Sequence, residues 1–334
     1  MRQRFFTLLA ILAVSFQCAL AQRLNVIFET DMGNDVDDAL AIDMLYKYHR
    51  SKKIDLMAIM LNKEGQYPPR FIDLLNRWYG CKRIPIGVTT RKKNSTMSHV
   101  QNFTEVVCKM KDEKGRPLYK QLPEGTENWQ DAVMLHRKLL AKAEDNSVTI
   151  ISVGFSNNLS ALLESQPDGF SPLSGKDLVA KKVDRLVVMA GHMENPNYRE
   201  FNVHHDIPAC QKVYNEWPTP IYTSPFELGE HILYPARSIS EDFGWTKHHP
   251  IVDAYKCYLP NMEDRPTWDL TAVLYAIDPG QMFSLSPAGR IHVSDLGCTT
   301  FKADATGNHY YLYTNPEQKK QILDYFVNMI TKKP

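Results

Sequence analysis

Four aspartates, Asp31, Asp35, Asp37 and Asp38, fall within FETDMGNDVDDALA, the stretch Phe28–Ala41, which starts and ends apolar. Two unit negative charges ~4 Å apart repel by about 4 kcal/mol at an effective dielectric near 20. A folded chain that gathers several of them needs a counter-charge, and carboxylate oxygens are hard donors suited to Ca2+ or Mg2+. Acids at a helix amino terminus are also favourable as caps. Capping would account for Asp37 or Asp38, but not for Asp31, which precedes Gly33 at the end of an apolar run. The pattern therefore points to a divalent-cation site. It is not an EF-hand: counted from Asp31, Val36 stands where that loop requires glycine and Ile42 where it requires glutamate. A phosphoryl-transfer site would want Lys or Arg beside the aspartates, and the stretch contains neither.

The elements that must position these acids follow from the apolar pattern. Asn25–Thr30, Ile54–Leu61, Ile84–Val88, Ser147–Gly154, Val183–Gly191 and Thr219–Ser224 read as strands. Asp37–Arg50, Pro69–Tyr79, Asn158–Glu164 and Ile207–Glu216 read as helices between them. Alternating strands and helices at this spacing predict right-handed crossovers, and continuously apolar strands predict a sheet covered on both faces. The expected fold is α/β, an open, mostly parallel, doubly wound sheet with helices on both faces. Lys92–Gly125 reads as a polar, irregular surface excursion. In such sheets ligands bind beyond the carboxyl ends of the strands, which is where the aspartates fall.

The 334 residues are 43% hydrophobic and 23% charged with a formal net charge of +1, values of an ordinary globular protein. That balance gives no electrostatic case for nucleic acid or an anionic membrane as partner. Arg2 and Arg4, the apolar run Phe5–Phe16 and Ala19-Leu20-Ala21 read as a secretory signal over residues 1–21, cut before Gln22. The run is short for a membrane span. The expectation is a secreted or periplasmic protein with a single domain over 22–334. Cys18 leaves with the signal, and Cys81, Cys108, Cys210, Cys257 and Cys298 remain without CxxC spacing, so no zinc knuckle is expected. An odd number cannot all pair within one chain, and one or two disulfides would suit an oxidising compartment. Asn94, Asn102 and Asn158 open Asn-x-Ser/Thr triplets, of which Asn158 reads as structural because it opens a helix.

Asp-x-Gly followed by Asp-Asp-Ala at the end of a first strand resembles the calcium-dependent nucleoside hydrolases of the inosine-uridine type. Their pattern is DxDPGxDDAxA; here ETDMGNDVDDALA has Glu29 for the first Asp, Met32 for the Pro, and two extra residues before the last Asp pair. Asp31, Asp37 and Asp38 match the family's functional aspartates, and Asp35 lies in the insertion. SVGFSNNLSALL (Ser152–Leu163) resembles the strand end whose residue before the Gly gives a carbonyl to calcium, here Val153. Asn62 matches a sugar-pocket Asn. MAGHMENPNYREFN (Met189–Asn202) resembles the segment ending in Glu-Phe-Asn, so Glu200 and Asn202 take ribose contacts, and an earlier Asn is Asn195 or Asn197. Asp206 would cap the helix that follows. TWDLTAVLYAIDP (Thr267–Pro279) matches the His-Asp segment, with Asp269 as calcium ligand and Trp268 where many members carry a proton-donating His.

The resemblance covers nearly all of the chain after the signal. It implies a calcium-dependent N-glycosyl hydrolase acting on a nucleoside or related riboside, in purine or pyrimidine salvage. Ca2+ would be held by Asp31, Asp38, Val153 and Asp269, with Asp31 also the base that takes a proton from water. Asp37, Asn62, Asn195, Glu200, Asn202 and Trp268 would bind substrate, and a homodimer or homotetramer is implied. Trp cannot donate that proton but can stack on a flat base. His192, His204 and His205 are the other candidates for a donor. The alternative is a secreted protein that keeps the calcium and sugar grip and has lost turnover with the His.

Overall fold

The computed structural model describes residues 23–91 and 102–334. The signal segment and the Asn94 triplet lie outside the described residues. Among the described residues there are thirteen strands: β1 Leu24–Thr30, β2 Ile54–Leu61, β3 Ile86–Val88, β4 Gln130–Asp131, β5 Val148–Ser152, β6 Val183–Met189, β7 Ile221–Ser224, β8 Leu233–Tyr234, β9 Arg265–Pro266, β10 Ser284–Leu285, β11 Gly289–Val293, β12 Thr299–Ala303 and β13 His309–Tyr313. The main sheet runs β12-β11-β13-β7-β6-β5-β1-β2-β3-β4, with β10 pairing β13 off that path. From β7 through β4 every pairing is parallel, and β13 is parallel to β7. The α/β sheet is thus mostly parallel and doubly wound.

Both faces are covered because β1 divides its apolar side chains between them. Val26 and Phe28 pack on one side with Leu40, Met44 and Leu270. Ile27 packs on the other with Ile150, Leu159 and Leu162. Each such side chain fully buried contributes about 1.5–3 kcal/mol. Helix Asp37–Arg50 lies on the first face beside helix Trp268–Ile277, which is how Asp269 arrives next to the aspartates more than two hundred residues earlier.

Asp37–Arg50, Ile54–Leu61 and Ile207–Glu216 have the expected bounds, and Asp206 caps the last of these by accepting from the Ala209 N–H at 3.4 Å. Of the stretch 92–125, residues 92–101 lie outside the described residues, and the rest departs from expectation: Phe103–Lys109 is a helix capped by Asn102, with Phe103 and Thr104 fully buried. One short amphipathic helix inside a polar segment leaves too few apolar residues to register a period. Helices Ala132–Lys142, Gly175–Lys182 and Pro316–Thr331 and the antiparallel extension β10–β13 were also not in the sequence pattern. Among the described residues no two cysteines are joined in a disulfide, although an oxidising compartment would have suited one or two. Asn158 is buried, its side chain donating to Glu29 Oε2 at 2.9 Å and to the Leu61 carbonyl at 3.1 Å, a structural position. Among the described residues no helix is long and apolar enough to cross a membrane.

Candidate active site

The chain winds outward from β1 through β2 and β3 to β4, then returns to lay β5 on the other side of β1. Strand order reverses there, and a crevice opens at the carboxyl ends of the two strands. Asp31 follows β1, Asn62 follows β2 and Val153 follows β5, tied by Asn62 N–H to Thr30 O at 3.0 Å and Val153 N–H to Glu29 O at 2.9 Å. Gly33, at φ +103°, turns the chain into the helix Asp37–Arg50. A β-carbon on Gly154 would stand 2.6 Å from both the Asp31 nitrogen and Asn62 Oδ1. Gly154→Ala is therefore expected to push β1 and β5 apart, lowering stability by about 1–3 kcal/mol and activity with it. Thermal denaturation and a rate assay check this, and an unchanged protein would contradict it.

Carboxylate oxygens of Asp37, Asp38 and Asp269 all lie within 4.8 Å of one another, and all three residues are buried. Thr30 Oγ1 donates to Asp38 Oδ1, and the Asp269 N–H donates to Asp37 Oδ2 at 3.0 Å. Asp31 lines the same cavity, its Oδ2 accepting from Asn34 Nδ2 at 2.6 Å. Capping does not explain these acids. The helix N-caps are Val36 and Thr267, neither with a side-chain cap bond. Burial pushes Asp31 up to about 6. Burial first, and repulsion from neighbouring aspartates second, hold Asp37, Asp38 and Asp269 well above the usual carboxylate range. A buried, all-oxygen cluster short of positive charge fits a hard divalent cation.

Asp31, Asp37, Asp38, Val153, Glu200, Asn202, Trp268 and Asp269 line one cavity of about 220 Å³. Asn202 Nδ2 donates to the Val153 carbonyl at 3.1 Å. Glu200 caps the helix Phe201–His205 and accepts from the N–H groups of Gly191, Asn202 and Val203. Burial nevertheless pushes it up to about 7. Trp268 stacks on Phe226 at 5.2 Å, giving the cavity an aromatic wall.

Two expected residues lie elsewhere. Asn62 is fully buried beneath the cavity without lining it, and its Oδ1 has no partner among the described residues. Asn195 is exposed in a turn, where its side chain accepts from the Asn197 N–H at 3.0 Å. None of the three histidines lines the cavity. His192 accepts from the Asn195 N–H, His204 contacts Arg199, and His205 rests against Phe155. Glu29, in place of the family's first Asp, is tied to His136 at 2.6 Å and to Asn158 beneath the strand ends.

Arg265, Tyr258, Phe226 and Asn34 also line the cavity and were not in the sequence reading. Arg265 pairs with Asp35, Nε to Oδ1 at 3.0 Å and Nη2 to Oδ2. Lys63 donates to Asn34 Oδ1. The cations absent from the acidic stretch thus come from other segments. Arg265 lies three residues before Trp268, close enough to have been found by reading back from that segment.

The switch point, the buried oxygen cluster and the facing aromatic wall define a small-molecule site of an α/β protein. A sequence profile described as inosine-uridine preferring nucleoside hydrolase matches residues 26–322, and the chain belongs to that family. It is an N-glycosyl hydrolase, a nucleosidase. No curated protein matches it by sequence. Among solved structures it is similar to a plant nucleoside hydrolase, PpNRh1, at 17% identity and TM-score 0.71, covering 93% of this chain and 100% of that one. A purine-preferring ribonucleoside hydrolase from Gardnerella vaginalis matches at 15% identity and TM-score 0.68 over 92% and 98%. An inosine-uridine preferring nucleoside hydrolase from Bacillus anthracis matches at 15% and 0.67 over 93% and 100%. At these identities the likeness is one of fold.

Proposed function

We propose that the protein hydrolyses the N-glycosidic bond of a nucleoside or related riboside in a calcium-dependent reaction, releasing base and ribose. The convergence of Asp37, Asp38 and Asp269 within 4.8 Å carries this reading. Asp31, Asp38, Asp269 and the Val153 carbonyl hold Ca2+, with Asp37 near enough to share the work. Bound there, the ion supplies Lewis acidity and positive charge at the ribose end of the cavity. Asp31, as a carboxylate, takes a proton from the attacking water. Asp37, Glu200 and Asn202 grip the ribose hydroxyls and orient the anomeric carbon. Departure of the base leaves oxocarbenium-like positive charge on the sugar, which the same carboxylates stabilise. Trp268 and Phe226 receive the base by stacking.

Residues 1–21 support processing before Gln22 and a secreted or periplasmic location, and family membership supports a homo-oligomer in nucleoside salvage. The absence of histidine from the cavity lining among the described residues is the one observation favouring a riboside binder with slow turnover. Inosine, uridine and p-nitrophenyl riboside, assayed with and without EDTA, separate the two. Release of base or nitrophenolate that EDTA abolishes is the expected result. Calorimetric riboside binding with no release from any of the three would establish the binder instead.

A further inference from the structure

The family reaction leaves a bond pair on the aglycone nitrogen, and among the described residues no histidine lines this cavity to protonate it. Among the described residues Arg265 is the one cation that does line it. It arrives on β9, a short strand paired with β8 beside the main sheet. Its guanidinium carbon lies 5.2 Å from the Trp268 ring centroid and 5.3 Å from that of Tyr258, over both rings. A base stacked on the same aromatic wall would lie beside it.

Asp35 fixes the orientation. Two bonds, from Nε and Nη2, leave Nη1 with no partner among the described residues. Asp35 belongs to the two-residue insertion in the acidic stretch, so the insertion supplies the group that holds Arg265 at the aromatic wall. Arg265 thus pairs with Asp35, which stands outside the cluster Asp37, Asp38 and Asp269. Guanidinium only donates and does not lose its proton in proteins. It can stabilise a departing anion but cannot protonate it.

We propose, resting on the nucleosidase reading above, that Arg265 replaces the missing acid electrostatically, so that the aglycone departs as an anion stabilised by the guanidinium. In this step the water oxygen bonds to the anomeric carbon and the carbon–nitrogen bond breaks, its electron pair passing to the aglycone nitrogen. The water proton goes to Asp31, and solvent protonates the released base afterwards. The substrates favoured are ribosides whose aglycone carries acceptors or spreads negative charge toward Arg265. Aglycones with poorly stabilised anions react slowly. Asp35 acts as a positioning residue.

The test is a leaving-group series: p-nitrophenyl riboside, inosine and uridine with wild type, Arg265→Gln and Arg265→Lys. Loss of one preorganised donor costs about 10²–10³-fold in kcat. The expected result is a loss of that size on the nucleosides and a much smaller one on p-nitrophenyl riboside, partial recovery in Arg265→Lys, and rescue of Arg265→Ala by added guanidinium. As a readout independent of turnover, wild type should bind nitrophenolate more tightly than nitrophenol, and Arg265→Gln should bind the two alike. Equal losses across the series without guanidinium rescue, the pattern of a purely structural residue, would overturn the proposal. So would a steepened leaving-group dependence in Tyr258→Phe instead, since the phenol would then be the donor. If wild type hydrolyses the series but Arg265→Gln matches it throughout, only this inference fails. If wild type hydrolyses none, the nucleosidase reading fails with it.

Discussion

Asp269→Asn is expected to lower kcat/KM by about 10³-fold or more while making the metal-free protein more stable. The substitution keeps size and shape, so the first turn of helix Trp268–Ile277 and the N–H bond to Asp37 remain. What changes is charge. A carboxylate that burial and four neighbouring aspartates disfavour becomes a neutral amide. Without a cation that relieves the site by on the order of 1 kcal/mol or more. With a cation, a hard anionic ligand is lost from a reaction in which metal charge contributes several kcal/mol of transition-state stabilisation. A residue kept for stability alone would show the opposite pattern, a lower melting temperature and little kinetic change. Thermal melts in EDTA beside initial rates in calcium distinguish the two.

The second large effect is a pH dependence whose direction depends on metal. Burial raises Asp31 to about 6 and Glu200 to about 7 in the folded protein, above the ordinary 3.8 and 4.5 of these side chains. The metal-free fold therefore holds these protons more tightly than the unfolded chain does. Their contribution to stability is fully present below about pH 4 and is lost as pH rises through 6 to 7, each pKa unit being worth about 1.4 kcal/mol. Metal-free protein should melt at a lower temperature at pH 8 than at pH 5. On the proposed reading calcium would bind the deprotonated carboxylates and stabilise only the folded form that assembles them. The calcium-induced rise in melting temperature should therefore be larger at pH 8 than at pH 5. A metal-free melting temperature that climbs across this interval would contradict the account.

The parallel half of the fold, apart from the two-residue β4, could be read from the sequence because its strands are mainly apolar runs bounded by helices. The antiparallel half could not. In β11 buried and exposed residues alternate, and β12 is mostly exposed or half-buried, so neither forms an apolar run. The acidic half of the site was legible for a related reason: charge crowded at a strand end has few structural uses, so Asp31, Asp37, Asp38 and, through its own segment, Asp269 stood out. The Arg265–Asp35 pair joins positions 230 residues apart, and neither residue alone departs from a solvated surface charge. Asn62 and Asn195 show a converse limit. A motif can align a residue with a pocket, but packing decides whether it faces in, and here Asn62 sits under the strand ends and Asn195 in an exposed turn.

The most direct test of the central claim is to measure bound metal and inosine hydrolysis on the same sample as calcium is returned to chelator-stripped protein. Turnover that is lost on stripping and rises in proportion to occupancy, reaching its plateau at one ion per chain, is the predicted outcome. Undiminished turnover by protein shown to carry no metal would contradict it.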